Sequence, residues 1–91
     1  LERALAILEV HYGPTHYQVA AALNNLGEAY GALGNPAKQR DLLERALPLL
    51  EAHYGPTHYQ VAGTLNNLGD AYGALGDFSM TILLLERAVP L

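Results

Sequence analysis

The side chains of this 91-residue chain with the clearest capacity for chemistry are its four histidines. His11 and His16 flank a Tyr-Gly-Pro-Thr run, and His53 and His58 flank an identical run. Imidazole groups bind transition metals and transfer protons near neutral pH. These pairs, however, flank a turn instead of sharing one helical face, and no carboxylate falls at a matching ligand spacing. We therefore expect the histidines to pack against the turn, and we predict no metal site.

Other kinds of catalytic site are equally poorly supported. The chain has no Cys, which excludes disulfides, thiolate zinc sites and thiol catalysis. No motif brings together a nucleophile, a base and an orienting group. The Gly-Ala-Leu-Gly run that begins at Gly31 has the composition of a helix end and is not a phosphate-binding loop. We predict that the chain is not an enzyme and uses no cofactor.

Composition indicates a folded chain and excludes several classes of partner. Apolar residues make up 51% and charged residues 15%, with a net charge of -4. No stretch reaches the roughly 18 apolar residues of a membrane span, and the N-terminus lacks the basic segment of a signal peptide. We expect no membrane contact and an intracellular, cytoplasmic location. Nucleic acid is also an unexpected partner, because the five cations are scattered: Arg3, Lys38, Arg40, Arg45 and Arg87.

An internal repeat organises the whole chain. Leu-Glu-Arg-Ala begins at Leu1, Leu43 and Leu85, which gives units 1–42 and 43–84 and a partial third unit, 85–91. Compared position by position, the two full units agree at 29 of 42 residues. A period of this length is typical of solenoids, whose units bury a continuous core only by stacking. We therefore predict one repeat domain over 1–91, and, since Leu1 falls within the pattern, a piece of a longer array.

Helix-breaking residues divide each unit at the same places. Gly13-Pro14 stops one helix, and Thr15 is suited to cap the next. Gly34 stops the second helix, Asn35 is suited to cap the third, and Pro36 fits its first turn. The apolar residues between these breaks step by three and four: Val19, Leu23, Leu26, Tyr30 and Leu33, with counterparts 42 residues later.

This helical period predicts an all-α protein with five helices and no strands. Their expected bounds are about 1–12, 16–33, 36–54, 58–75 and 78–89. Pro48 lies within the third, where it removes the hydrogen bond to the Glu44 carbonyl. We expect a continuous, bent helix here; the alternative is that the helix ends near Leu47 and restarts.

The segment from Leu23 to Tyr30, followed by Gly34 and Ala46, resembles the tetratricopeptide repeat. The second unit carries the same Leu-Gly, Tyr, Gly and Ala marks at Leu68, Gly69, Tyr72, Gly76 and Ala88. The long unit, its Gly-Pro-Thr-His turn and its Leu-Asn-Asn-Leu segment are most similar to the extended repeats of kinesin light chain. The chain departs from the family at Gln39 and Thr81, where a small Ala is usual. The resemblance implies a right-handed α-solenoid of antiparallel helix pairs.

The same resemblance implies a protein–protein interaction scaffold that binds a peptide or partner protein on its concave face. That face is lined by the first helix of each repeat, where an Asn often bonds to a peptide backbone. The alternative for Asn24 and Asn66 is that they are solvated or bridge neighbouring repeats. Glu28 and Asp70 would favour basic or neutral ligands over acidic ones. The candidate residues are Tyr17, Asn24, Glu28, Tyr59, Asn66 and Asp70.

Glycines within the helical pattern indicate where helices pack closely. Gly27 and Gly69 each cost about 1 kcal/mol relative to Ala, which is consistent with a tight helix crossing. Gly31 and Gly73 lie one turn further on. We expect them to line a groove with room for a ligand chain.

The last helix differs most between the units, because Phe78 to Leu84 replaces a charged segment with an uncharged, largely apolar one. A helix that is apolar nearly all round is normally buried on more than one side. One prediction is self-association into a homo-oligomer, with the array acting as a structural element; the alternative is that this surface faces a further repeat. The residues expected at the contact are Phe78, Met80, Ile82 and Leu83.

Overall fold

The structure, a computed structural model, describes residues 2–90 and contains five α-helices over that range. The predicted number of helices is confirmed; the predicted start at residue 1 lies outside the described residues. The helices form a right-handed α-solenoid of antiparallel pairs, with no strand within residues 2–90. Their bounds are α1 Glu2–Tyr12, α2 Tyr17–Ala32, α3 Pro36–Tyr54, α4 Tyr59–Ala74 and α5 Phe78–Ala88.

The turn between α2 and α3 has the predicted caps. Gly34 adopts φ 79°, its N–H donates to the Gly31 carbonyl at 3.1 Å, and the Asn35 N–H donates to the Tyr30 carbonyl at 2.9 Å. This is a Schellman motif, whose positive φ favours glycine. Asn35 then caps α3 by accepting the Lys38 N–H through its side chain. The α4–α5 turn repeats the cap with Asp77.

The predicted cap at the start of α2 is wrong. Thr15 lies in the turn, and the N-cap is His16, whose Nδ1 accepts the Gln18 N–H at 3.1 Å. The second unit repeats this arrangement at His58. The extended backbone of His16, with ψ 146°, places its imidazole nitrogen where a Ser or Thr oxygen usually lies.

The third helix is continuous through Pro48, as predicted. It lies between α2 and α4, and its buried residues belong to one core that runs through both units. Leu23, Leu43 and Leu65 are fully buried at its centre. Burial against two neighbours offsets the ~3 kcal/mol by which an interior Pro disfavours a helix.

The close crossing predicted at Gly27 is present. A Cβ placed there with ideal geometry would lie only 3.0 Å from Leu43 Cδ2 on α3. The corresponding crossing at Gly69 is looser, with Leu85 Cδ2 at 3.5 Å from an ideal Cβ. The helix crossing at the conserved glycine position is thus tight in the first unit, whereas the equivalent crossing in the second unit would leave room for an ordinary van der Waals contact.

Candidate partner-binding surfaces

The first helices of the two repeats, α2 and α4, carry the six residues predicted to bind a partner; we call these six the first-helix face. Neither helix contains Lys or Arg, and their only charged residues are Glu28 and Asp70. Both carboxylates are exposed. The first-helix face is therefore purely acidic in its formal charge.

The residues of this face in the first unit are engaged by the second unit. Asn24 Oδ1 accepts the Thr64 hydroxyl at 3.2 Å, and Glu28 Oε1 accepts the Asn67 amide at 3.1 Å. Tyr17 stacks on His53 with ring centroids 4.0 Å apart. These side chains bridge neighbouring repeats, which is the alternative that the sequence left open for Asn24.

The equivalent residues of the second unit are free of such contacts. Asn66 and Asp70 are exposed and make no side-chain hydrogen bond within the described residues, and Tyr59 is 71% exposed. Asn25, which sequence analysis did not select, is exposed as well. Its counterpart Asn67 donates its side-chain amide to Glu28. Because the Asn-Asn pair recurs at the same place in both units, the repeat itself could have indicated Asn25 as a candidate.

The groove expected at Gly31 and Gly73 is occupied by the chain itself. An ideal Cβ on Gly31 would lie 2.6 Å from Gln39 Nε2, because the Gln39 side chain lies over this glycine. Thr81 takes the corresponding place beside Gly73 and donates its hydroxyl to the Gly69 carbonyl at 2.8 Å. The departures from the family at these two positions therefore fill the space predicted for a ligand chain.

The histidines and tyrosines at the turns form one continuous row of rings in contact, which we call the aromatic ladder. Neighbouring ring centroids lie 4.0–4.7 Å apart, and the pairs are stacked or tilted except for the two edge-to-face pairs His11–Tyr12 and His53–Tyr54. Aromatic contacts in these arrangements add about 0.5–1.5 kcal/mol per pair beyond area burial. The sequence predicted turn packing for the histidines but not the link between units, which joins Tyr17 to His53. In order, the rings are His11, Tyr12, His16, Tyr17, His53, Tyr54, His58 and Tyr59.

Within residues 2–90, no cluster of three potential metal ligands occurs.

A repeated Tyr–Glu pair links the helices, with the Tyr30 hydroxyl donating to Glu2 and the Tyr72 hydroxyl donating to Glu44. The Glu44 hydrogen bond, assisted by burial, raises the pKa of Tyr72 to about 12. Both phenols are thus hydrogen-bond donors, and their raised pKa values keep them neutral at pH 7.

Two overlapping matches to a family model described as "Tetratricopeptide repeat" cover residues 1–52 and 40–91. The chain belongs to the tetratricopeptide repeat family. Repeats of this family are in general protein-interaction modules and are typically non-enzymatic. No curated protein matches the chain.

A solved structure with the same fold is the crystal structure of BtubC (BKLC) from P. vanneervenii. It is 30% identical, has a TM-score of 0.88, and the alignment covers 96% of this chain but 35% of that protein. Since that neighbour is a kinesin light chain-like tetratricopeptide repeat protein, the predicted resemblance to kinesin light chain repeats is confirmed. The chain spans about a third of the length of this neighbour.

At one end of this tetratricopeptide repeat domain, α5 presents the apolar surface predicted for self-association. Phe78 is 65% exposed, Ile82 and Leu83 are each 57% exposed, and Met80 is half-buried against the core. In the first repeat, Arg40 stands where Ile82 does, and its guanidinium carbon lies 6.0 Å from the centroid of the Tyr72 ring. We call Phe78, Ile82 and Leu83 the α5 patch.

At the other end, α1 and α2 enclose an open cleft of about 450 Å³. This cleft was not predictable from the sequence, because it depends on how α1 lies across α2. The cleft is lined by Glu2, Arg3, Leu26, Ala29, Tyr30 and Leu33.

No helix within residues 2–90 is long and apolar enough to cross a membrane.

Proposed function

We propose that this domain binds a polypeptide segment with a neutral or basic sequence along the first-helix face. The observation that carries this proposal is the charge of α2 and α4, whose only charged side chains are the exposed Glu28 and Asp70. An acidic segment would be repelled by both carboxylates, whereas a Lys or Arg side chain would gain a charge-assisted hydrogen bond.

Exposed amides provide the part of this recognition that does not depend on ligand sequence. Asn25 and Asn66 each offer a donor and an acceptor, which matches the alternating N–H and C=O groups of an extended backbone. Asn66 is the sharper probe of the two Asn residues first predicted, because Asn24 already accepts the Thr64 hydroxyl. Loss of binding in an Asn66 variant is therefore separable from loss of the contact between repeats.

The test measures the binding of short fluorescent Lys/Gly and Glu/Gly peptides by fluorescence anisotropy at low ionic strength. We expect the Lys/Gly peptide to bind and Asp70→Asn to weaken it about threefold, as expected for one exposed charge contact. Glu86→Gln is the matched control, because it removes the same charge from an exposed position on α5. Equal loss in both variants, or preference for the Glu/Gly peptide, would show that the first-helix face is not the binding site.

The α5 patch favours a second candidate function, in which the domain is a structural element that associates with copies of itself. Three large apolar side chains more than half exposed on one short helix are unusual for a surface without a partner. Light scattering during size-exclusion chromatography tests this candidate directly. A strictly monomeric mass at high concentration would reject it and would leave peptide binding unaffected.

A further inference from the structure

The helices α2 to α5 use two kinds of N-cap, one at each edge of the solenoid. At the edge that carries the aromatic ladder, α2 and α4 both follow a histidine whose imidazole accepts a backbone N–H. At the opposite edge, α3 and α5 follow Asn35 and Asp77, whose side-chain oxygens each accept a backbone N–H at 3.2 Å. Imidazole is the side chain that ordinarily changes charge between pH 5 and 8. The caps that can respond to pH in this range therefore all lie at the ladder edge.

The hydrogen bond that forms each ladder-edge cap requires a neutral imidazole. His16 Nδ1 accepts the Gln18 N–H at 3.1 Å, and His58 Nδ1 accepts the Gln60 N–H at the same distance. Nδ1 accepts this bond through its lone pair, which protonation removes. The imidazolium would bring one N–H against another and would place a positive charge at the positive end of the helix dipole. Protonation at these two positions therefore opposes the native fold.

Each capping imidazole also belongs to the aromatic ladder, so its release affects more than one hydrogen bond. His16 lies between Tyr12 and Tyr17, with ring centroids 4.3 and 4.7 Å away. Tyr17 is the first residue of α2, and its ring stacks on His53 of the next repeat. The cap at the start of α2 is therefore connected directly to the contact that joins the two repeats.

The groups that face the capping histidines leave them able to titrate. Both histidines are partly exposed, so water reaches them. His58 has the titratable neighbours Tyr54 from α3 and Tyr59 from α4, each 4.4 Å away between ring centroids. The carboxylates near the ends of α1 and α3, Glu9 and Glu51, are each paired with an arginine. Within residues 2–90 no carboxylate pairs with a histidine, so no ion pair offsets the charge of an imidazolium at the caps.

The other two histidines of the ladder have the opposite preference. His11 and His53 lie in the last turns of α1 and α3, where the helix dipole favours a positive charge. His53 also lies over the Tyr17 ring, with an angle of 10° between the ring planes, so its imidazolium would gain a cation–π contact. Acid therefore weakens the two helix starts at this edge and favours the two helix ends.

We infer that the ladder edge is an acid-responsive joint, in which protonation of His16 and His58 releases the first turns of α2 and α4 while the caps at the opposite edge hold. The native fold keeps these imidazoles neutral, whereas the unfolded chain binds protons freely, so their contribution to stability falls as the pH falls from 8 to 5. At the caps the lost hydrogen bond adds to the repulsion by the dipole, whereas the helix ends gain only weak, solvent-exposed interactions. The caps therefore determine the sign for the whole chain. The inference is independent of peptide binding and of self-association.

The first test compares the pH dependence of thermal unfolding, followed by circular dichroism, in chains that lack one pair of histidines. His16→Asn/His58→Asn, the cap variant, retains a side-chain acceptor at each helix start but removes its titration, since Asn is a good N-cap. His11→Asn/His53→Asn is the matched control, which removes two imidazoles of the same ladder from the helix ends. Lost ring contacts lower both melting temperatures at every pH, so the quantity compared is the change between pH 8 and pH 5.

We expect the melting temperature of the unmodified chain to be about 5 °C lower at pH 5 than at pH 8, because the loss of two caps is partly offset at the helix ends. The cap variant should show no decrease, and the control variant should show a decrease of about 10 °C. Equal changes in the cap variant and the unmodified chain would overturn the inference, whatever their size.

Amide exchange measured by NMR in the unmodified chain tests the same bonds without a substitution. Protection of the Gln18 and Gln60 N–H groups, corrected for the intrinsic effect of pH on exchange, should fall about fivefold between pH 8 and pH 5, as expected for one lost hydrogen bond. The Lys38 N–H is the internal control, because its acceptor Asn35 does not titrate. Protection that persists at Gln18 and Gln60 at pH 5 would overturn the inference even if the melting temperatures differed.

Discussion

The two repeats agree at 29 of 42 positions, yet identical residues in them have different surroundings. Tyr17 stacks on a histidine of the next repeat, whereas Tyr59 is 71% exposed. Leu75 is 40% exposed, whereas its counterpart Leu33, which borders an open cleft, is 80% exposed. The difference shows that the environment of a residue is determined by the neighbouring repeat as much as by its own.

This comparison also shows where the stability of the array resides. A single helix pair leaves one flank of its first helix uncovered, and only stacking buries it. Here α3 has neighbours on both sides and contributes four buried residues, whereas α5 contributes only Leu84. Substitutions at equivalent positions of the two repeats should therefore have unequal effects.

The largest inequality is expected at the leucine that begins each Leu-Glu-Arg-Ala segment. Leu43 is fully buried, and Leu43→Ala should reduce the free energy of unfolding by about 3 kcal/mol. Leu85 is only half-buried, so Leu85→Ala should cost roughly 1 kcal/mol. Urea denaturation followed by circular dichroism measures both. Equal losses would mean that the second helix pair is packed as well as the first.

A difference in sign is expected at the helix-crossing glycines. Gly27→Ala would force its methyl to within 3.0 Å of Leu43 Cδ2 in a packed core, and a net loss of about 1 kcal/mol should follow. Gly69→Ala meets Leu85 at 3.5 Å, an ordinary contact, so the better helix propensity of Ala should add ~0.5–1 kcal/mol. Thermal unfolding of the two variants gives the signs, and stabilisation by Gly27→Ala would refute the tight crossing.

The smallest contrast is expected on the first-helix face. Asn24→Ala removes the acceptor of the Thr64 hydroxyl, which keeps its second bond to the Gln60 carbonyl, so the loss should be about 0.5–1 kcal/mol. Asn66→Ala should change stability by less than about 0.5 kcal/mol, because Asn66 is exposed. The Thr64→Ala variant provides a double-mutant cycle with Asn24→Ala. Strictly additive losses would show that no bond joins these side chains.

Much of the fold could be predicted from the sequence, since helix ends depend on local chemistry. Gly34, Asn35 and Pro36 act through their own φ angles and side chains, and the structure places each where it was expected. The exception is Thr15, because the choice between adjacent cap residues depends on the backbone path through the turn. His16 caps the helix because its backbone is extended next to the first turn, whereas Thr15 lies within the preceding turn.

The contacts between repeats could not be predicted to the same degree. Periodicity placed Asn24 and Glu28 on one helical face but gave no information on how far the next repeat is displaced along it. The displacement brings Thr64 and Asn67 onto these residues and leaves Asn66 and Asp70 exposed. Similarly, the size of Gln39 was visible in the sequence, but its path across Gly31 depends on the helix crossing.

The aromatic ladder lies along only one edge of the solenoid, at the turns that follow α1 and α3. The opposite edge, at Gly34 and Gly76, carries no stacked ring pair within residues 2–90. A pull that spreads the repeats at the first edge must separate ring faces, whereas the glycine edge opens without that cost. Under load, the repeats should therefore separate first at the edge that carries Gly34 and Gly76, and rotate about the edge that carries the aromatic ladder.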